Sequence, residues 1–254
     1  MSRSPDALAS RLAQVRGRLA AAARRVGRAP EDVTLVAVTK GVGVAQVREA
    51  LALGLRDLGE NRVQEALPKI ARLGAGPRWH LVGHLQRNKA RHAAEAFTLI
   101  HSVDSLRLGE TLARHAERLG REVRVLLQVN VAREPQKHGF APEEVVAAAR
   151  AARRWTGVRV LGMMTIAPLA PDPEAARPVF RALRALRDRV REVLPEAEHL
   201  SMGMTDDFEV AVEEGATIVR IGRALFGERP ARPAGAGEAP TAGSTGEGRG
   251  EREV

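Results

Sequence analysis

The sequence of 254 residues contains no cysteine and no tyrosine. The absence of cysteine excludes disulfide bonds, thiolate metal sites and cysteine nucleophiles. No apolar run reaches the length that spans a membrane, and the arginine-rich N-terminus lacks the apolar core of a signal peptide. We therefore expect a cytoplasmic protein without a membrane partner.

Lysine is scarce, since 36 of the 40 basic residues are arginines. The lysines are Lys40, Lys69, Lys89 and Lys137. Lys40 ends a short apolar, β-branched run at residues 34–40 that is typical of a buried strand. Burial disfavours an ammonium, so such a lysine can act as a neutral amine that forms a Schiff base with a carbonyl compound. The alternative is a strand-end lysine that points into solvent. Lys69 is expected to be solvated in the middle of its helix, and Lys137 is expected to be an ordinary loop lysine.

The net charge of +9 at pH 7 raises the possibility of nucleic-acid binding. Seven of the arginines, against one aspartate, lie in residues 1–28. An amphipathic helix is predicted over residues 5–27, with arginines between its apolar positions. A solvated basic face on this helix is the preferred interpretation, and nucleic-acid binding is the alternative.

Strand-like and helix-like segments alternate along the rest of the chain, which favours a parallel α/β sheet. Strand ends recur from Lys40 to Gly222 at about 26 residues per unit. Eight such units predict a single (β/α)8 TIM barrel with an extra N-terminal helix, over residues 1–228. An open doubly wound sheet is the alternative. Residues 229–254 are rich in Pro, Ala, Gly, Glu and Arg, and are predicted to form a disordered tail.

Chemistry in a barrel of this type is expected where the strands end and the helices begin. The residues predicted there are Lys40, Asn61, His80, Gly83, Asp104, Asn130, Met163, Ser201 to Gly203 and Arg220 to Arg223. Glycine-containing turns follow the seventh and eighth strands, at Gly203 and Gly222. Turns at these positions commonly bind phosphate through backbone N–H groups. Together with Lys40 they indicate a ligand that carries both an aldehyde and a phosphate.

Several long motifs resemble those of the pyridoxal phosphate homeostasis protein family, whose members resemble the barrel domain of alanine racemase. The resemblance runs from the first helix to Gly227. The motifs are TK (39–40), GENRVQE (59–65), WHLVGHLQRNK (79–89), HSVD (101–104), GMM (162–164), LSMGMTDD (200–207) and VRIGRALFG (219–227).

This resemblance implies pyridoxal 5'-phosphate bound to Lys40 as an internal aldimine. It implies that Ser201, Gly222 and Arg223 hold the phosphate, that Arg220 faces the pyridine nitrogen, and that Asn61 lies near the ring. A permanent cation opposite that nitrogen keeps it unprotonated and makes the ring a poorer electron sink. Met163 and Gly203 complete the predicted cofactor-binding residues, and His80 is a candidate substrate-facing residue.

The absence of tyrosine disfavours racemisation of the alanine racemase type, which uses opposing lysine and tyrosine bases. After Gly227 the sequence is not expected to form the second domain that supplies the tyrosine. The preferred hypothesis is a monomeric protein that binds and buffers pyridoxal phosphate and passes it to apo-enzymes. The alternative is a racemase or a related amino-acid-transforming enzyme. His80 and His84 are not expected to bind metal, because a strand end separates them.

Overall fold

The computed structural model of the protein describes residues 5–227, and the side chains of residues 7–227. The predicted tail at residues 229–254 lies outside the described residues. No helix in the described part of the chain is long and apolar enough to cross a membrane.

Strands and helices alternate as the sequence predicted. The strands are β1 (Thr34–Val38), β2 (Asp57–Glu60), β3 (Arg78–Leu81), β4 (Leu99–Val103), β5 (Val123–Gln128), β6 (Val158–Met164), β7 (His199–Ser201) and β8 (Ile218–Ile221). The α-helices are α1 (Pro5–Arg25), α2 (Val44–Ala52), α3 (Val63–Leu73), α4 (Ala90–Ala96), α5 (Leu106–Leu119), α6 (Val145–Ala152), α7 (Arg177–Arg191), α8 (Phe208–Glu213) and α9 (Arg223–Phe226). Short 3-10 helices cover Pro30–Asp32, Arg87–Lys89 and Pro173–Ala176.

The eight strands form one closed parallel barrel in chain order. Closure occurs between β1 and β8, where Val36 is paired with Arg220 and Ala37 with Ile221. A closed sheet confirms the (β/α)8 prediction and rules out the open doubly wound alternative. The chain is therefore an α/β protein with a single barrel.

Side chains on each strand alternate between two apolar cores. The larger core lies between the strands and the surrounding helices. The smaller core, inside the barrel, consists of Val36, Val38, Val82, Leu99, Leu126, Met164 and Ile218. Polar residues two positions from these, such as His80, His101 and Arg220, therefore also point into the barrel interior.

Helix α1 is the predicted extra helix, and it ends at Arg25 rather than near residue 27. Its buried face packs on α8 and α9. Arg18 and Arg25 form ion pairs with Glu209 and Glu213, in each case at 2.7 Å. Part of the basic surface of this helix is thus neutralised by acidic side chains of α8.

The N-termini of two helices that follow strands differ in their caps. Ser105 caps α5, because its hydroxyl oxygen accepts a hydrogen bond from the Leu108 N–H at 3.4 Å. Asn61 is of a residue type that favours the N-cap, but Arg62 occupies the N-cap of α3 and forms no side-chain cap. The Asn61 side chain instead faces a cleft.

Candidate functional site

A cleft of about 250 Å³ opens at the carboxyl ends of the barrel strands. Its polar side chains include Lys40, which follows β1, Asn61, which follows β2, and Arg220 in β8. The lining consists of Val38, Lys40, Asn61, Val82, Ile166, Leu169, Met204, Thr205, Asp206, Arg220, Gly222 and Arg223. The parallel barrel brings these residues together because all its strands end on one face.

A buried ion pair lies directly behind Lys40. The Lys69 ammonium donates to Glu60 Oε1 and to the carbonyl of Thr39, in each case at 2.6 Å. The Thr39 hydroxyl also donates to Glu60 Oε1, at 2.6 Å. Glu60 is completely buried, so the expectation that Lys69 is solvated is wrong. This network ties the end of β1 to β2 and α3.

Arg220 places a buried positive charge at the base of the cleft. Its guanidinium donates to Ser201 Oγ at 2.7 Å and to the carbonyl of Thr165 at 2.9 Å. Burial lowers the pKa of Arg220 to about 10, while the nearby Asp207 carboxylate opposes that shift. A pKa near 10 leaves Arg220 charged at neutral pH.

From Arg220 a chain of hydrogen bonds crosses the barrel interior to the opposite end. Ser201 Oγ lies 2.9 Å from His101 Nδ1, and His101 Nε2 lies 2.9 Å from His80 Nδ1. His80 Nε2 lies 3.0 Å from Asp57 Oδ1. Asp57 begins β2 and accepts two hydrogen bonds from Arg78. Two imidazoles and one hydroxyl thus connect Arg220 at the carboxyl end of the barrel with the Asp57–Arg78 pair at the other end.

His101 lies in the middle of this chain and is completely buried. Burial, followed by the charges of His80 and Arg220, holds the pKa of His101 well below its usual value. One ring nitrogen of the neutral His101 therefore donates a hydrogen bond and the other accepts one. His101 thus donates to one of its two neighbours, Ser201 or His80, and accepts from the other.

The loops after β7 and β8 form the other wall of the cleft. Arg223 forms an ion pair with Asp206, and the Ala224 N–H donates to Thr205 Oγ1 at 3.4 Å. Gly203 has φ +91°, and a Cβ atom there would lie 2.5 Å from the Cβ of Ala211. Only glycine fits this turn without strain.

The wall at β2 and β3 also depends on a glycine. A Cβ atom at Gly83 would lie 2.2 Å from the carbonyl oxygen of Asn61. The close approach of the two backbones positions Asn61 between the cleft and a second groove, which is lined by Gly83, His84 and Lys89 among others.

Comparison with known proteins assigns the family. The family model described as alanine racemase, N-terminal domain, matches residues 10–230. The pyridoxal phosphate homeostasis protein of Pseudomonas aeruginosa is 45% identical over 227 residues, which cover 87% of this chain and 96% of that protein. The chain belongs to the pyridoxal phosphate homeostasis protein family.

Solved structures agree with this membership. The structure of PipY of Synechococcus elongatus without PLP is 41% identical in sequence, with a TM-score of 0.79. The match covers 87% of this chain and 100% of that chain. The structure of PipY with PLP bound matches with 39% identity and a TM-score of 0.77, over 87% of this chain and 100% of that one. The resemblance found in the sequence motifs is thus confirmed.

The residues predicted to bind the cofactor occupy two kinds of position. Those that line the cleft are Lys40, Asn61, Arg220, Gly222 and Arg223. Met163, Ser201 and Gly203 are buried and lie outside this lining. His80 lies in the barrel interior, 5% exposed, between Asp57 and His101. The direct contacts predicted for Met163, Ser201, Gly203 and His80 stay predictions.

Sequence reasoning missed several residues that shape the cleft. Val38, Val82, Ile166 and Leu169 supply its apolar surface, and Thr205 lies in the loop after β7. Lys137, predicted as an ordinary loop lysine, donates to the carbonyls of Ile166 and Ala167 at 3.3 and 3.1 Å. It thereby joins the loop after β5 to the loop after β6. Of these residues, only Val38 and Val82 could have been placed at the cleft from the sequence, because side chains alternate between the two faces of a strand and these two lie at strand ends.

The Asp57 carboxylate at the far end of the buried chain leads to a pH prediction. Burial raises the pKa of Asp57, but the hydrogen bonds from His80 and Arg78 outweigh burial and lower it to about 2. A depressed folded-state pKa stabilises the protein above the unfolded value of 3.8, and this stabilisation is lost as the pH falls toward 2. Because Arg78 is more than half exposed, screening reduces the effect to about 1–2 kcal/mol.

We therefore expect Asp57→Asn to lower the free energy of unfolding at pH 7 by about 1–2 kcal/mol, and by less at pH 3. Urea denaturation at both pH values measures this difference. Asp188→Asn is the matched control, since Asp188 forms an exposed pair with Arg187. An equal loss for Asp57→Asn at the two pH values would contradict the assignment.

Proposed function

We propose that this protein binds pyridoxal 5'-phosphate in the cleft and takes part in intracellular pyridoxal phosphate homeostasis. The observation that carries the proposal is the convergence of Lys40, Arg220, Gly222 and Arg223 on one cleft. The PLP-bound structure of PipY supports it, as do the names of the curated relatives.

The residues present fit this cofactor. The cleft volume of about 250 Å³ lies just below the range of about 300–1,000 Å³ that is usual for small-molecule sites. Lys40, Arg220 and Arg223 supply positive charge that suits a phosphate-bearing ligand, and Gly222 exposes backbone near the start of α9. Val38 and Val82 supply an apolar surface for a flat ring. The donors and the apolar surface thus match the two parts of the cofactor.

Lys40 is proposed to hold the cofactor covalently. Its neutral amine attacks the aldehyde carbon, a C=N bond forms, and the carbonyl oxygen leaves as water. Pyridoxal phosphate supplies the aldehyde and an electron-withdrawing ring. Thr39, fixed by Glu60 and Lys69, holds the end of β1 so that the amine stays at the cleft.

Arg220 is proposed to face the pyridine nitrogen. Its contacts with Ser201 and Thr165 restrict its movement, and its positive charge keeps the facing nitrogen unprotonated. Carbanion formation is then restrained compared with a site that offers a carboxylate. The chain has no tyrosine for the second base of the alanine racemase type. A carrier role is therefore the function we propose.

Exchange of the cofactor requires that an incoming amine reaches the cleft. Lys40 is half-buried rather than enclosed, and Leu169 at the edge of the cleft is 89% exposed. We propose that cytoplasmic apo-enzymes receive the cofactor from a monomer of this protein. Residues 1–228 would suffice for binding.

Absorption spectroscopy of the purified protein with pyridoxal phosphate tests the proposal. We expect a yellow species that borohydride fixes, with the added mass on the peptide that contains Lys40. Label on another lysine, or a protein that stays colourless, would overturn the proposed covalent site. Turnover of an amino acid with exchange of its α-proton in deuterated water would instead support the enzyme alternative.

A further inference from the structure

Three metal-ligating side chains from consecutive barrel units meet beside the cleft. His84 follows β3, Asp104 follows β4, and His138 lies in the loop between β5 and α6. One ligand atom from each lies within 4.8 Å of the others. None of the three lines the cleft, and the proposed function does not use them. The expectation that His84 binds no metal concerned its pairing with His80, whereas Asp104 and His138 come from other barrel units.

The geometry centres on one carboxylate oxygen. Asp104 Oδ2 lies 3.0 Å from His84 Nδ1 and 3.9 Å from His138 Nδ1. Both imidazoles therefore present the same ring nitrogen to the same oxygen. The second distance is too long for a hydrogen bond, so Asp104 does not satisfy His138.

The surroundings orient the carboxylate and leave the rings accessible. The Ser105 hydroxyl donates to Asp104 Oδ1 at 3.2 Å, which leaves Oδ2 directed toward the two histidines. The rings of His84 and His138 stack with centroids 3.8 Å apart and an interplanar angle of 12°. Both rings are exposed, at 40% and 57% of their side-chain surface. Because both rings are exposed, they can rotate out of the stacked arrangement and direct both nitrogens at a shared ion without disturbing the core.

We propose that His84, Asp104 and His138 form a binding site for a divalent cation of the later first transition row, such as Co²⁺, Ni²⁺ or Zn²⁺. Two imidazoles and one carboxylate are a donor set that these ions prefer, while Mg²⁺ and Ca²⁺ favour oxygen ligands. Three protein ligands leave the remaining positions to water or to a ligand. The Ser105 hydroxyl supplies the outer hydrogen bond that fixes the carboxylate.

The proposed metal site lies next to the cofactor cleft. His84 lines the groove that also contains Gln86 and Lys89, and Asn61 lines both this groove and the cleft. A ligand in the groove, bound to an open coordination position, would therefore approach the cleft past Asn61.

The test uses the full-length chain without an affinity tag and without pyridoxal phosphate. Co²⁺ is titrated into the protein and followed by its visible absorption, and Zn²⁺ and Ni²⁺ are titrated in a calorimeter. We expect one ion per chain, and a loss of affinity of at least about tenfold in each of His84→Ala, Asp104→Asn and His138→Ala. Circular dichroism melting of each variant separates loss of the site from loss of the fold.

His92→Ala is the matched control, because His92 is exposed on α4 with a carboxylate, Glu95, at 3.8 Å. Unchanged affinity in this variant, with loss in the three others, supports the site. Equal loss in His92→Ala, full affinity in a folded His138→Ala, or no saturable binding of any of the three ions would overturn it.

Discussion

Replacement of Lys40 by arginine is expected to abolish the yellow, borohydride-fixed species that we propose for the wild-type protein with pyridoxal phosphate. Arginine keeps the positive charge and a long side chain, but its guanidinium stays protonated and cannot condense with an aldehyde. Lys40 lies at the rim of the cleft and follows a strand whose last residue, Val38, is buried. The stability of the barrel should therefore change little. Absorption, and the intact mass after borohydride, measure the expected loss.

Lys89→Arg is the control for this experiment. Lys89 lies in the neighbouring groove rather than the cleft, so this variant should retain the absorption band and the added mass. A Lys40→Arg protein that still gains the covalent mass would show that another lysine carries the cofactor. If Lys40 contributed only its positive charge, the arginine variant would still bind pyridoxal phosphate, but without a covalent bond.

Replacement of Lys69 by methionine is expected to cost about 3–5 kcal/mol of the free energy of unfolding. Methionine fills a similar volume but leaves the Glu60 carboxylate without its cation. Glu60 is completely buried and Lys69 is nearly so, with 12% of its side chain exposed. A buried carboxylate that has lost its partner is far more costly than a broken surface pair. Urea denaturation at pH 7 measures the loss.

A double variant, Lys69→Met with Glu60→Gln, separates the charge effect from the loss of packing. Removal of both charges should recover a large part of the stability lost in Lys69→Met. The Thr39 hydroxyl, 2.6 Å from Glu60 Oε1, keeps an acceptor in the glutamine side chain. A single variant that loses less than about 1 kcal/mol would mean that the pair behaves like an exposed one. A double variant as unstable as the single one would show that packing dominates.

The N-terminal helix shows which structural features a local sequence pattern can predict and which it cannot. Periodic apolar residues predicted a helix that is found at Pro5–Arg25. The same pattern predicted that the basic face of this helix is solvated. In the structure, Arg18 and Arg25 are paired with glutamates of α8 that lie 191 and 188 residues further along the chain. The periodicity of apolar residues shows which face of a helix is buried, but it does not show which distant side chains contact the opposite, polar face.

The strand-end residues were predictable for a related reason. In a parallel barrel, the residues that follow each strand share one face, so Lys40, Asn61 and Arg220 could be placed together from strand spacing alone. The motifs then pointed to the family and its cofactor. The same reasoning treated His80 as a strand-end residue, although it belongs to the inner face of β3 and is enclosed. A shift of one residue along a strand changes which face a side chain occupies.

By itself, the sequence determined the order of strands and helices, the count of eight units and the family. These depend on local periodicity and on motifs that are continuous in the chain. Tertiary structure alone decided that Ser201 meets His101, 100 residues away, that Lys69 turns inward to Glu60, and that His84, Asp104 and His138 converge. Such contacts form when barrel closure brings side chains of distant strands into one interior or onto one rim, and no local pattern records which partner each will meet.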